Sequence, residues 1–257
     1  MPDQLHVHIP FSQFDRHFPL LQKHRLQPEI AFKWPDLDPL LRPAVKRAGH
    51  RLAAEGLAVT VHAPFMDLNP GALEPLVREA TRQRWMQTLE VAELLHARLV
   101  VLHPGFDRWR YGGNSQPWID ACLEFFPALI EQAGRQQCPL LLENIFEETP
   151  HTLVAVFKEL DSPWLGHCFD VGHWRLFAKR SMEQWFTSLA PWIRHLHIHD
   201  NCGDRDAHMA VGEGDIDFDT FFRLVRTLQT APTITLEIHD CDALLRCVDS
   251  VTPLILR

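Results

Sequence analysis

No apolar run in this sequence is long enough to cross a bilayer. The longest, such as Leu99–Leu102 and Pro139–Leu142, span a few residues, against about 20 for a membrane helix. There is no CxxC pair. The six cysteines (Cys122, Cys138, Cys168, Cys202, Cys241 and Cys247) are scattered, and read as buried small hydrophobes rather than a disulfide frame. Positive charge is not in excess: the net charge is −8 with no basic run, which speaks against a broad nucleic-acid surface. Met1-Pro2-Asp3-Gln4 carries no basic stretch followed by an apolar core, so no secretory signal and a cytoplasmic location are expected. The turn after the first strand-like segment, Pro10-Phe11-Ser12-Gln13, holds no glycine, which argues against a doubly wound dinucleotide fold. No linker, low-complexity stretch or composition shift divides residues 1–257, and one domain is expected.

Histidine, by contrast, is abundant, at 16 residues in 257. Strand-like runs recur at Leu5–Pro10, Glu29–Lys33, Leu57–Pro64, Ala97–Gly105, Cys138–Ile145, Leu165–Gly172, Ile193–Asp200 and Thr233–Asp240. Helical patterns at Gln13–His24, Pro39–Glu55, Leu73–His96, Trp118–Gln136, His151–Leu160, Met182–Leu189, Phe218–Leu228 and Asp242–Val251 alternate with them. Eight strand–helix units at this length predict an α/β fold, a single (β/α)₈ TIM barrel with parallel strands.

In such a barrel the working residues sit at the C-terminal ends of the strands. Strand ends three to eight carry His62, His103, Glu143, Asp170 with His173, the trio His195, His197 and His199, and Glu237. Period-two alternation turns Leu140, Leu142 and Asn144 away from Glu143, and orders the trio with His195 deepest and His199 nearest the rim. Converging carboxylates need counter-charge, which a divalent cation supplies. Nitrogen and oxygen ligands suit Zn²⁺, Mn²⁺ or Fe²⁺, and Mg²⁺ less well.

At these residues the chain resembles the xylose isomerase-like barrel superfamily, which includes endonuclease IV and sugar isomerases and epimerases. The resemblance rests on His62-Ala63-Pro64, His103-Pro104-Gly105, Glu143-Asn144, Asp170-x-x-His173, His197-x-x-Asp200, Asp206-x-His208, Gly212-Glu213-Gly214 and Glu237. It implies a metal quartet of Glu143, Asp170, His197 and Glu237, with Glu143 and Glu237 as catalytic residues. In isomerase-like members four such residues hold one Mn²⁺, Mg²⁺ or Co²⁺. Endonuclease IV-like members add five ligands, matched here by His62, His103, His173, Asp206 and His208, and hold three Zn²⁺. Nine ligand positions exceed what one-metal isomerisation needs. The preferred expectation is therefore phosphoester or phosphodiester hydrolysis with two or three Zn²⁺. The alternatives are a one-metal sugar or sugar-phosphate isomerase or epimerase, and a non-catalytic metal- or sugar-binding barrel.

The expected partner is a small phosphorylated, nucleotide-like or sugar-like substrate; the oligomeric state is left open. Phe65-Met66 matches the position from which endonuclease IV-like enzymes push side chains into a duplex, but buried barrel-top packing is the preferred reading. The loop Phe106–Asn114 places Arg108, Trp109 and Arg110 as substrate contacts on a candidate lid. Trp174 and Arg175 after strand six, and Arg205, are further substrate candidates. Glu29, His6 and His8 could also reach the cavity, with filling of interior layers the preferred reading.

Overall fold

The computed structural model describes residues 5–255; Met1–Gln4, on which the leader expectation rests, lie outside them. Eight parallel strands close in sequence order. They are β1 (Leu5–Pro10), β2 (Gln27–Ala31), β3 (Thr60–His62), β4 (Val100–Leu102), β5 (Leu140–Glu143), β6 (Leu165–Asp170), β7 (Ile193–Ile198) and β8 (Thr233–Leu236). Around them run α1 (Phe14–His24), α2 (Arg42–Ala54), α3 (Pro75–Leu95), α4 (Gln116–Gln136), α5 (His151–Leu160), α6 (Val171–Phe177), α7 (Met182–Leu189), α8 (Phe218–Val225) and α9 (Cys241–Ile255). The expected (β/α)₈ barrel is present. No helix among the described residues is long and apolar enough to cross a membrane.

Most strand ends fall earlier than the sequence pattern suggests, although single backbone bonds such as Phe32 N–H to His62 O and Ala63 N–H to Val101 O continue the pairing one residue further. Strand six shows the largest consequence. The expected strand to Gly172 stops at Asp170, and the unanticipated α6 begins at the next residue. Asp170 is its N-cap, with Oδ1 accepting from the His173 N–H at 2.5 Å. Asx capping of an orphan helix donor explains the abrupt change. A short 3-10 turn at Trp34–Leu37 was also not expected.

The main apolar core lies between strands and helices and includes Val100, Leu102, Leu140, Leu142, Trp85, Trp118 and Phe126. A small separate cluster of Leu99, Val101, Leu141 and Cys168 packs apart from it, as alternation requires of inward-facing positions. The interior is two-sided. This apolar plug comes from β4 to β6 and their approaches, whereas β2, β3, β7 and β8 contribute Glu29, Thr60, His195 and Thr235, all fully buried. Four cysteines are buried as expected, but Cys202 and Cys241 are exposed on loop and helix-end positions.

Leu141 fills the plug directly below the strand position of Glu143. Leu141→Ala is expected to cost about 2–5 kcal/mol by leaving a cavity, read as a lowered midpoint of denaturant unfolding.

Candidate metal centre

The strand register places the polar ends on one rim. Asp170 stands opposite His197 across the β6–β7 ladder, after a register irregularity at His167/Cys168. Glu143 is one strand further along, paired with Cys168. All nine ligand candidates gather around a cavity of about 530 Å³, whose lining includes His62, His103, Glu143, His173, Asp206, His208 and Glu237. Asp170 and His197 lie beneath it, fully buried.

The nine resolve into three sets. In the first, His62 Nε2 and His103 Nε2 each lie 3.3 Å from Glu143 Oε2 and 3.2 Å from each other. In the second, His197 Nδ1 lies 3.3 Å from Glu143 Oε2, 3.9 Å from Asp170 Oδ2 and 3.6 Å from Glu237 Oε1; these four residues form a buried ligand group. In the third, Asp206 Oδ2 is 3.4 Å from His173 Nε2 and 3.0 Å from His208 Nε2. Glu143 also reaches His173 Nδ1 through Oε1, at 2.9 Å.

These donors fit divalent cations. Ligands about 2.0–2.2 Å from a tetrahedral ion stand about 3.3–3.6 Å apart, and the separations within the sets bracket that range, from 3.0 to 3.9 Å. His197 Nδ1 and His199 Nδ1 are buried without a hydrogen bond, a costly state that a cation relieves, whereas Glu143 Oε1 and His173 Nδ1 face each other as an ion pair. Two ligand histidines are locked by backbone carbonyls: His62 Nδ1 bonds Ala63 O at 2.9 Å and His208 Nδ1 bonds Glu237 O at 2.8 Å. Those bonds put the proton on Nδ1 and leave Nε2 free for a metal.

Asp200 explains how the third set is held. Its Oδ2 accepts from the N–H groups of Gly212 and Gly214 at 3.0 and 2.9 Å, and its Oδ1 from Ile216 N at 3.2 Å. Its backbone bridges Met209. This pins both ends of the loop that carries Asp206 and His208. A Cβ at Gly214 would fall 2.4 Å from Asp200 Oδ1, so the second glycine of Gly212-Glu213-Gly214 serves close approach. His208 itself takes a left-handed backbone, φ 47°, strain of a kind that persists where surroundings enforce it. Likewise a Cβ at Gly172 would fall 2.0 Å from His199 Cε1.

Charge inside the cluster is mutually compensated. Burial opposes ionisation of Glu143, yet the adjoining His197 and His103 hold its carboxyl well below the usual range. Burial likewise opposes charge on His208, but the hydrogen bond to Asp206 and the charge of Glu237 outweigh it and lift its pKa to about 9.

The substrate candidates are less concentrated. Of the six, Arg110 lines the cavity. Arg108 is half-exposed and its Nη1 donates to both carboxylate oxygens of Glu148, at 3.0 and 2.8 Å, with Lys179 on the same carboxylate at 2.7 Å. Trp109 is 80% exposed. Trp174 donates to Arg180 O at 3.2 Å, Arg175 packs over Gly203 and lies 3.8 Å from Asp215, and Arg205 is exposed on its loop. None of these five lines the cavity. Phe65 and Met66 are not buried packing: they are 44% and 76% exposed at its mouth, with Phe65 stacked on His103 at 4.2 Å between centroids. Both side chains lie along the cavity wall, where open space rather than a packed layer faces them.

Three residues contribute more than their sequence positions suggest. His8 lines the cavity rather than only filling a layer. His199 is fully buried, 3.2 Å from Asp170 Oδ2. Glu29 reaches His197. The signal available for each was its inward parity on a strand or strand extension ending at the rim.

Residues 23–247 match the family described as xylose isomerase-like TIM barrel, and the chain belongs to that family. The protein MJ1311 of Methanocaldococcus jannaschii is 31% identical over 167 residues, 62% of this chain and 57% of its own length. A probable endonuclease 4 of Mesomycoplasma hyopneumoniae is 21% identical over 65% of this chain and 64% of its own. Among solved structures, a D-tagatose 3-epimerase-like protein superposes with a TM-score of 0.83 at 23% identity, covering 98% of this chain and 97% of that one. The TTHB071 protein of Thermus thermophilus, soaked with ZnCl2, gives 0.80 at 25% identity, covering 97% and 98%.

A raised pKa stabilises the fold while the group is protonated. In metal-free protein the His208 contribution is therefore complete below its unfolded pKa of about 6.5 and is lost as pH rises through about 9. Thermal melts in chelator should show stability falling over that window, and His208→Gln should flatten the fall. Metal affinity should rise over the same window, because binding displaces the proton.

Proposed function

We propose that this chain is a metal-dependent phosphoester or phosphodiester hydrolase acting on a small phosphorylated or nucleotide-like substrate. The observation that carries this reading is the separation of nine ligands into three adjoining sets, with Glu143 Oε2 shared by His62, His103 and His197. Four carboxylates (Glu143, Asp170, Asp206 and Glu237) belong to these sets, and among the described lining residues Arg110 is the one guanidinium. Against four carboxylates and one guanidinium, one divalent ion leaves the site net negative, whereas two or three ions leave it net positive and able to attract an anion.

Bound divalent cations would supply Lewis acidity, activating water and neutralising phosphoryl oxygens. The protein's part is placement. Glu143 ties the first two sets together, while Asp206 and His208 ride on a loop fixed by Asp200. Arg110 faces the cavity from the β4 side and suits an anionic oxygen. Phe65, Met66, Ile145, Phe146 and Phe177 give that cavity an apolar wall, a surface for the non-phosphate part of the substrate. The similarity to a probable endonuclease 4 supports the same reaction class.

A second reading, sugar epimerisation on one metal, is favoured by Glu143 and Glu237 facing the same cavity from β5 and just beyond β8. In that reading the two carboxylates move a proton at a carbon beside a carbonyl.

Metal analysis separates the two. Zinc-loaded protein should hold two or three ions per chain, with Asp206→Ala and His208→Ala each losing part of this and slowing cleavage of bis(p-nitrophenyl) phosphate. One ion per chain, indifferent to both substitutions and accompanied by turnover of ketoses or ketose phosphates, would replace hydrolysis with epimerisation. Under the hydrolase reading, Arg110→Ala should raise KM roughly tenfold, about 1.4 kcal/mol. Arg108→Ala should leave KM close to that of the unsubstituted protein, since its guanidinium is already engaged.

A further inference from the structure

Glu29 is a fully buried acid that is not one of the nine ligands. It sits on β2 with no solvent exposure, its carboxyl held well below the usual range by His197 and His195 despite its burial. Its two oxygens have different surroundings. Oε2 accepts from the hydroxyls of Thr60 at 3.2 Å and Thr235 at 3.0 Å, and lies 3.1 Å from His195 Nε2. His195 is itself held by Thr233 Oγ1 on Nδ1, at 2.6 Å. Oε1 has no hydrogen bond and faces His197 Nε2 at 3.0 Å, an ion-pair approach.

Three donors from β3, β7 and β8 therefore hold one oxygen, which prevents the carboxylate from turning and leaves the other presented to a single histidine. A carboxylate opposite Nε2 favours the imidazole tautomer with its proton there. The lone pair is then on Nδ1, the nitrogen that lies among Glu143, Asp170 and Glu237. Interior layer filling alone gives no reason for a charged group here, since Leu or Gln would fill the space without the desolvation cost of a carboxylate.

We propose that Glu29 is a positioning residue for the metal quartet: it selects the His197 tautomer that binds metal through Nδ1 and orients the ring towards the other three ligands. It does for His197 what Ala63 O does for His62 and Glu237 O does for His208, but with a full negative charge that also raises the ring's donor strength. The inference rests on the quartet being a metal site, and is independent of whether the reaction is hydrolysis or epimerisation.

The test uses zinc affinity rather than turnover. Full-length protein, Glu29→Gln and His197→Ala are titrated with Zn²⁺ against a competing chelator at one fixed pH, with melting of each metal-free protein as control. Glu29→Gln keeps the shape and the acceptor for the threonine hydroxyls while removing the charge. It should weaken one zinc per chain about 10–100-fold, the same zinc that His197→Ala removes, and leave the other ions in place. In zinc-loaded wild-type protein carrying ¹⁵N-histidine, NMR should show His197 metal-bound at Nδ1 and protonated at Nε2. A merely structural Glu29 would lower the metal-free melting temperature without changing zinc affinity, and that result overturns the proposal. Coordination through Nε2 overturns it as well, and this measurement stands if Glu29→Gln fails to fold. If His197→Ala leaves every zinc in place, the quartet itself is not a metal site and the inference falls with it.

Discussion

Buried carboxylate is the constraint from which the rest of this structure follows. Glu29, Glu143, Asp170 and Glu237 are all nearly or fully inaccessible, and an ionised acid in such surroundings is expensive unless its charge is met. The barrel meets it with imidazoles. His62, His103, His173, His197 and His208 approach these acids or Asp206 at ion-pair distances. Imidazole can answer a carboxylate as a cation, and can also give up its proton and share a metal with it. The same arrangement therefore balances the buried charge within the protein and offers donor groups that could hold a metal ion.

That constraint accounts for the two-sided interior. Beneath the site, the β4–β6 side is a plug of Leu99, Val101, Leu141 and Cys168, which gives the cluster a low-dielectric floor. The opposite side carries Thr60, Thr235, His195 and Glu29 in one hydrogen-bonded group. An apolar floor strengthens electrostatic interactions above it, and a satisfied polar group fixes side chains without adding unpaired donors. Asp170 shows the same economy on a smaller scale, with Oδ1 capping α6 and Oδ2 facing His199 and His197.

The cavity mouth follows a different logic. Phe65, Met66 and Phe146 remain exposed there, although apolar surface of this kind ordinarily finds cover. Beside a concentrated group of acids and imidazoles, they form an apolar wall to the cavity. The loop carrying Arg108 is tied to Glu148, which Lys179 also engages, so Arg110 is left as the arginine turned to the cavity. Nearby residues in one loop thus take structural and site-facing positions that their shared residue type does not distinguish.

The eight-strand barrel was legible in the sequence because strand–helix alternation is a local regularity, and so were the strand-end members of the nine candidates; Asp206 and His208 lie on the loop after β7 and entered through the family resemblance. Strand–helix alternation is periodic, and inward parity at a strand end places a side chain on the rim whatever its long-range neighbours. His151–Leu160 and Met182–Leu189 were readable to the residue for the same reason. What tertiary structure alone decided was which groups meet. Glu29 and His197 are separated by most of the barrel's circumference in sequence order, and only closure of β1 on β8 brings β2 and β7 to face each other across the interior. The exposure of Phe65, the pairing of Arg108 and the shared use of Glu143 Oε2 are likewise matters of distance between chain-remote atoms. Periodicity fixes the direction in which a side chain points; three-dimensional closure determines what it finds there.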